Sequence, residues 1–229
     1  MRSARRRGMP GLSRRRRRIR PSSPGTQNNV EPQQVINYVS CHDNYTLFDQ
    51  LVQTVSAENL EKAYKQAEAL VFTAQGVPFM QEGEDFMRTK AYKENGQTKY
   101  CHNSYNVGDF INNMDYELKL QNKDMFDYFK LLINKRVANR ALRLSSRAEI
   151  NSHVTVSSSM ANNGVVRMDV DNVDGSYIVL HSQSAAGVDI NGEYRVIFSS
   201  TDRFHDGDEV ATNIVLAAYD SLILKKVGA

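Results

Sequence analysis

Three consecutive segments constrain the fold more than any other feature of this chain. Residues 35–41 (VINYVSC) alternate weakly and are rich in Val, Ile and Tyr, as a buried parallel strand would be. Leu60, Ala63, Tyr64, Ala67, Leu70, Val71 and Ala74 then recur at helical spacing, which predicts an amphipathic helix over 58–74. Gly76 is placed to close it, and Val77-Pro78-Phe79-Met80 opens a second short strand. Strand, helix, strand is one βαβ unit. Two parallel strands leave edges and faces uncovered, so they imply a larger parallel sheet or barrel.

The pattern continues through a polar stretch over 81–121, long enough to be either functional or without regular order. Met125, Phe126, Phe129, Leu132, Ile133 and Val137 resume a helical period between Asn122 and Arg140. From residue 148 the period becomes two, in runs at 153–158, 164–170, 176–182, 193–199, 213–218 and 220–226. Asn163-Gly164, Asp174-Gly175, Asn191-Gly192 and Asp206-Gly207 read as the turns between them. Short strands so spaced predict a small antiparallel β-sandwich over 148–229, after an α/β unit over 30–147.

Residues 1–29 are a separate matter. They are dominated by Arg, Gly, Ser and Pro and cannot bury enough surface to offset the entropy of ordering. A nucleic-acid-binding arm, an organelle transit peptide and a non-native leader are the three readings, and the abrupt change of composition favours the third. Ten of the 29 Lys and Arg lie in the first twenty residues, which leaves 19 basic against 26 acidic groups in the remainder, a balance of −7. The overall charge of +3 therefore says nothing for nucleic-acid binding by the folded part. Cys41 and Cys101 are too few for a disulfide framework and lack metal-ligand spacing, so free thiols in a cytoplasmic, reducing setting are expected. No apolar stretch reaches the roughly 20 residues of a membrane span.

His42-Asp43-Asn44 ends the first strand, which is where parallel α/β barrels place their chemistry. The plain alternative is a turn in which Asp43 caps the following segment. Beyond the second strand, Gln81, Glu82, Glu84, Asp85 and Arg88 either line a pocket or form a structural network in which Arg88 neutralises neighbouring carboxylates, and the structural reading is favoured for Glu84 and Asp85. Asn103, Ser104, Tyr105 and Asn106 combine amide donors and acceptors with a ring that can stack on a sugar, though such a run also makes a good turn. The chain has no Trp, which argues against strong carbohydrate stacking. Asp169, Asp171 and Asp174-Gly175 hint at a calcium loop, but their spacing and the intervening valines fit a strand with a hairpin turn; no metal or other cofactor is expected.

The runs YVSCHDN at 38–44, GVPFMQEGEDFMRTK at 76–90 and NSYN at 103–106 resemble the last third of the catalytic domain of type I pullulanases, debranching members of the α-amylase superfamily. The resemblance extends from about residue 30 onward and implies an α/β plus all-β chain: the C-terminal third of an eightfold TIM barrel, closed by the helix at 122–140, then a β-sandwich. It implies an α-glucan partner, with cleavage of α-1,6 branch points in pullulan, starch or glycogen. It assigns Asp43 to transition-state stabilisation and His42, Asn44, Asn103, Tyr105 and Asn106 to substrate contact. In that family the nucleophilic Asp and proton-donating Glu precede the His-Asp pair. Here only Glu31 and no Asp does, so the chain alone is expected to be an inactive, monomeric portion of such an enzyme. Two other functions remain in view: a non-catalytic packing or carbohydrate-contact module in the β region, and nucleic-acid binding through the Arg-rich tail.

Overall fold

The computed structural model describes residues 31–159 and 164–228; the tail expected over 1–29 lies outside them. In order, the chain forms β1 (Ile36–Asn37), α1 (Leu47–Val52), α2 (Leu60–Thr73), β2 (Val77–Pro78), β3 (Ala91–Glu94), β4 (Gln97–Tyr100), α3 (Asp109–Asn112), α4 (Glu117–Gln121), α5 (Lys123–Ala138) and α6 (Arg147–His153). Six strands follow: β5 (Val154–Ser159), β6 (Val165–Val170), β7 (Tyr177–Ser182), β8 (Ala186–Ser199), β9 (Glu209–Leu216) and β10 (Ser221–Lys226).

β1 and β2 pair in parallel, Ile36 opposite Val77, with α2 between them as the βαβ pattern requires. Burial on both faces was the expectation, and it holds on one. Val39 and Met80 pack towards the core beneath α2, whereas Ile36, Tyr38, Val77 and Phe79 remain 61%, 54%, 41% and 43% exposed. Period-two alternation puts these four on the opposite side, where the rings of Tyr38 and Phe79 meet edge to face at 6.1 Å.

The turn from α2 into β2 is held by a cation. Helix termini leave carbonyls without intrahelical partners, and here Arg136 of α5 supplies the donors: Nη1 to the carbonyls of Phe72 (2.7 Å), Ala74 (2.9 Å) and Leu142 (2.7 Å), and Nη2 to that of Gly76 (2.7 Å). Burial lowers its pKa only to about 10, so the charge stays. Gly76 sits at φ 108°, where a Cβ would come within 2.8 Å of the Val35 carbonyl oxygen. The glycine expected to end the helix is thus required by backbone conformation and by the close approach of β1.

A second strut joins α2 to the sheet. Thr73 Oγ1 donates to the Ala69 carbonyl (2.7 Å), so it accepts from Nε2 of the buried His181 on β7 (3.0 Å). That leaves Nδ1 to accept from Ser221 Oγ on β10 (2.9 Å) and defines a neutral imidazole.

The β region is one antiparallel sheet in the order β5-β6-β7-β10-β8-β9, not two separately paired sheets. α2 and α5 cover one face, where Tyr64, Phe72, Phe129 and Leu132 meet Val170, Val179, Phe198 and Ile223. The other face is closed by the sheet bending on itself. Asn191-Gly192, expected as a turn between strands, lies inside β8 at φ 45° and 139°, and the register against β9 shifts between Asp189 and Glu193. Such positive-φ pairs serve bulges as well as turns. Tyr194–Ser199 pairs with β10, while Ala186–Asp189 pairs with β9. The bent arm folds Ala186, Ile190, Ile214 and Leu216 over Ile178, Leu180, Leu222 and Leu224, giving a second core. By contrast Asp174-Gly175, at φ 51° and 114°, forms the expected turn, and Asp169 pairs with Arg167 through 3.0 and 2.8 Å bonds to Nε.

Arg136→Met should leave four buried or half-buried carbonyls without donors and cost at least about 3 kcal/mol, lowering the thermal midpoint by about 10 °C in circular dichroism. His181 makes a pH-dependent contribution. Burial holds its pKa at about 3 against an unfolded value of 6.5, so its stabilising effect is complete above pH 6.5 and is lost as the pH falls towards 3. Urea midpoints across that window should fall more steeply for the natural chain than for His181→Gln.

Candidate functional site

Past Asn37 the backbone runs through Val39 and the buried Ser40 into the turn at 41–45. Asn44 adopts φ 65°, a left-handed conformation that asparagine tolerates better than most residues. Thr46 then caps α1 by accepting from the Asp49 amide at 3.1 Å, so Thr46 and not Asp43 starts that helix. Asp43 is left free for other work. The side chains of His42 and Asp43 are 84% and 57% exposed, with Nε2 and Oδ1 3.5 Å apart.

The 103–106 segment presents Asn103, Tyr105 and Asn106 to solvent and buries Ser104. Asn112 of α3 holds it by donating Nδ2 to the carbonyls of Ser104 (2.8 Å) and Val107 (2.5 Å). Two contacts join this loop to the His-Asp-Asn turn. Lys90 Nζ donates to the Asn44 carbonyl (2.5 Å) and to Ser104 Oγ (3.4 Å). Tyr45 and His102 meet edge to face at 4.8 Å. All six residues expected to meet substrate therefore lie on two linked loops with open access to solvent.

Sequence reasoning did not single out Lys90, because lysine in a polar stretch reads as surface; here it is 1% exposed. Its amide donates to Oδ2 of the buried Asp49 (2.7 Å), whose Oδ1 accepts from Thr89 Oγ1 (2.5 Å). Burial is the main cause lowering its pKa, followed by the charge of Arg88. Nearby, the stretch expected to be a loop contains the β3–β4 hairpin, turned by Asn95-Gly96 at φ 51° and 78°. That Asn-Gly pair was the signal available. Its flanks, AYKE and QTKY, lack the apolar alternation that makes such a signal convincing.

Behind the turn lie two buried acids. Glu84 accepts from Ser40 Oγ and, at 2.9 Å, from the Gln81 amide, while its backbone carbonyl accepts from Tyr64 at 2.8 Å. It therefore ties the end of β1 to the end of β2. Burial pushes its carboxyl up to about 7 despite those bonds. Glu68 of α2 is fully buried with neither carboxyl oxygen hydrogen-bonded among the described residues, and burial, then the charge of Glu84, raise its pKa well above the usual range. The guanidinium of Arg88 donates to the Asn112 carbonyl (3.1 Å) and feels the charges of Asp49 and Glu82, while among the described residues it forms no ion pair with Glu84 or Asp85. Glu84 faces Ser40 and Tyr64 instead, and Glu82 accepts from Tyr116 at 2.6 Å.

No family model matches the chain. A pullulanase of Bacillus subtilis (strain 168) is 32% identical over 204 residues, which are 85% of this chain and 27% of that protein. The solved pullulanase from Bacillus acidopullulyticus superposes with TM-score 0.72 at 31% identity, over 86% of this chain and 24% of that one. A pullulanase from Anoxybacillus sp. LM18-11, solved in complex with maltotetraose, gives TM-score 0.72 at 26% identity, over 86% and 28%. These likenesses put the chain among the glycoside hydrolases. Within that class it belongs to the pullulanase family and corresponds to its C-terminal region. The chain spans about a quarter of the length of the relatives it matches.

The buried acids give this region its own pH dependence. Their folded pKa values lie above the unfolded 4.5, so their contribution to stability is complete below that value and is lost as pH rises, through about 7 for Glu84. Glu68→Gln should therefore stabilise the chain at about pH 8 and gain little at about pH 5. Urea midpoints at the two pH values check this.

Proposed function

We propose that the two linked loops form part of the glucan site of a debranching glycoside hydrolase that acts on α-1,6 branch points of pullulan, starch or glycogen. In this reading β1, α2, β2 and α5 are the last part of an eightfold β/α barrel, and residues 148–229 are the β domain that follows it. The exposed faces of Ile36, Tyr38, Val77 and Phe79 are then the surface that further barrel strands would cover. The observation that carries the proposal is the convergence of His42-Asp43 and Asn103-Tyr105-Asn106 at one open edge, in a chain whose relative binds maltotetraose.

Glycosidic cleavage passes through an oxocarbenium-like transition state and ordinarily needs a proton donor and a nucleophile. Asp43 fits a third role, electrostatic stabilisation, which is strong only where water is excluded. His42 donates to ring hydroxyls, Asn44, Asn103 and Asn106 bond to others, and Tyr105 offers its ring to a sugar face. Asp43 is more than half exposed in this chain, and no Asp precedes it to act as nucleophile. Catalytic carboxylates work as a unit, so one of them alone should give no useful rate.

The purified chain is accordingly expected to release no reducing sugar from pullulan. Release that disappears in Asp43→Asn would show that the chain carries a complete catalytic set, contrary to this reading.

A further inference from the structure

We propose that Lys90 is the positioning residue of this site, its ammonium group locking the His42-Asp43-Asn44 turn and the 103–106 loop into one glucan-contacting unit; this rests on the function proposed above. A lysine that is 1% exposed has given up most of its hydration, and that cost is ordinarily offset by a carboxylate partner. Lys90 has no such ion pair among the described residues. Asp49, whose charge acts on it, spends its two oxygens on the Lys90 amide and the Thr89 hydroxyl. The ammonium instead reaches a carbonyl on one loop and a hydroxyl on the other.

The backbone around it is already pinned on both sides. The amide is bound to Asp49 at 2.7 Å, and the carbonyl accepts from Cys101 at 3.1 Å. The side chain is therefore not needed to hold its own backbone segment. A well-packed apolar residue of similar length would avoid the desolvation of the charge, at the cost of leaving the Asn44 carbonyl and the Ser104 hydroxyl without this donor. What an apolar residue cannot do is donate to Asn44 and Ser104 together. Asn44 follows Asp43 directly and is in a left-handed conformation, so its carbonyl direction sets the turn that presents the His-Asp pair. The charge of Asp43 also acts on Lys90, which places the acid within electrostatic reach of the strut.

The test uses the full chain with Lys90→Met, Lys90→Arg and Ser104→Ala, read by amide hydrogen exchange, thermal unfolding and maltotetraose binding. For Lys90→Met we expect exchange to rise about tenfold or more in both 41–46 and 102–107, with the sheet as protected as before and a melting temperature lowered by no more than a few degrees. Lys90→Arg, which keeps donors and charge, should restore much of the protection. Ser104→Ala should loosen 102–107 and leave 41–46 as it was. Maltotetraose affinity should fall about fivefold or more in Lys90→Met. Unchanged exchange in both loops overturns the proposal, as does a Lys90→Met chain that fails to fold or loses protection throughout, since either makes the lysine a component of general stability. If the unaltered chain does not bind maltotetraose, the glucan reading fails, while the exchange data still decide whether Lys90 couples the loops.

Discussion

The arrangement of the whole α/β portion depends on how the carbonyls at the end of α2 are satisfied. A helix that stops against the core leaves acceptors that water reaches poorly, and each unpaired one is costly. Arg136 answers several at once, because one planar guanidinium directs its donors to Phe72, Ala74, Gly76 and Leu142. Those carbonyls belong to α2, to the turn into β2 and to the segment leading towards the sheet. Fixing them fixes β2, and β1 pairs with β2. The turn carrying His42 and Asp43 is thus located by a residue nearly a hundred positions later in the chain.

The site follows a division of labour between exposed and buried polar groups. Groups suited to meeting a sugar, His42, Asp43, Asn103, Tyr105 and Asn106, lie at the surface. Beneath them Lys90, Asp49 and Glu84 are buried and bonded to backbone groups and hydroxyls. Buried polar groups cost free energy unless satisfied, so they specify geometry more than they add stability. Glu68 goes further, with no partner for its carboxyl among the described residues, and a neutral carboxyl is the form such an environment favours.

Local pattern made much of the chain legible. Helical spacing located α2 and α5 to within two residues at each end, and Asp174-Gly175 and Asp206-Gly207 marked two of the β-region reversals, while Asn163 of the expected Asn163-Gly164 turn lies outside the described residues. Two misreadings have a common cause. Asn191-Gly192 permits either a hairpin turn or a bulge, and the choice was made by β9, which continues its pairing on both sides of the kink. The β3–β4 hairpin lacked apolar flanks because it is paired along its backbone and exposes most of its side chains. Among the site residues, the surface groups were recognisable by type and motif. The supports were not, since nothing in a one-dimensional pattern distinguishes a buried Lys90 from the many lysines in solvent.

By itself, then, the sequence determined the periodicities, the succession from β1 through α2 and β2 to α5, the six-stranded character of the β region, and the His-Asp-Asn and Asn-Ser-Tyr-Asn motifs that carry the family resemblance. These depend on residues close together in the chain, where spacing dictates which face each side chain takes. Tertiary structure alone decided that the β region is one sheet folded over itself, that Arg136 and His181 are buried struts, and that Lys90 joins two loops. Those outcomes turn on which distant groups share a dry interior and must satisfy one another there. Burial, and the hydrogen bonding it compels, is a property of the assembled chain.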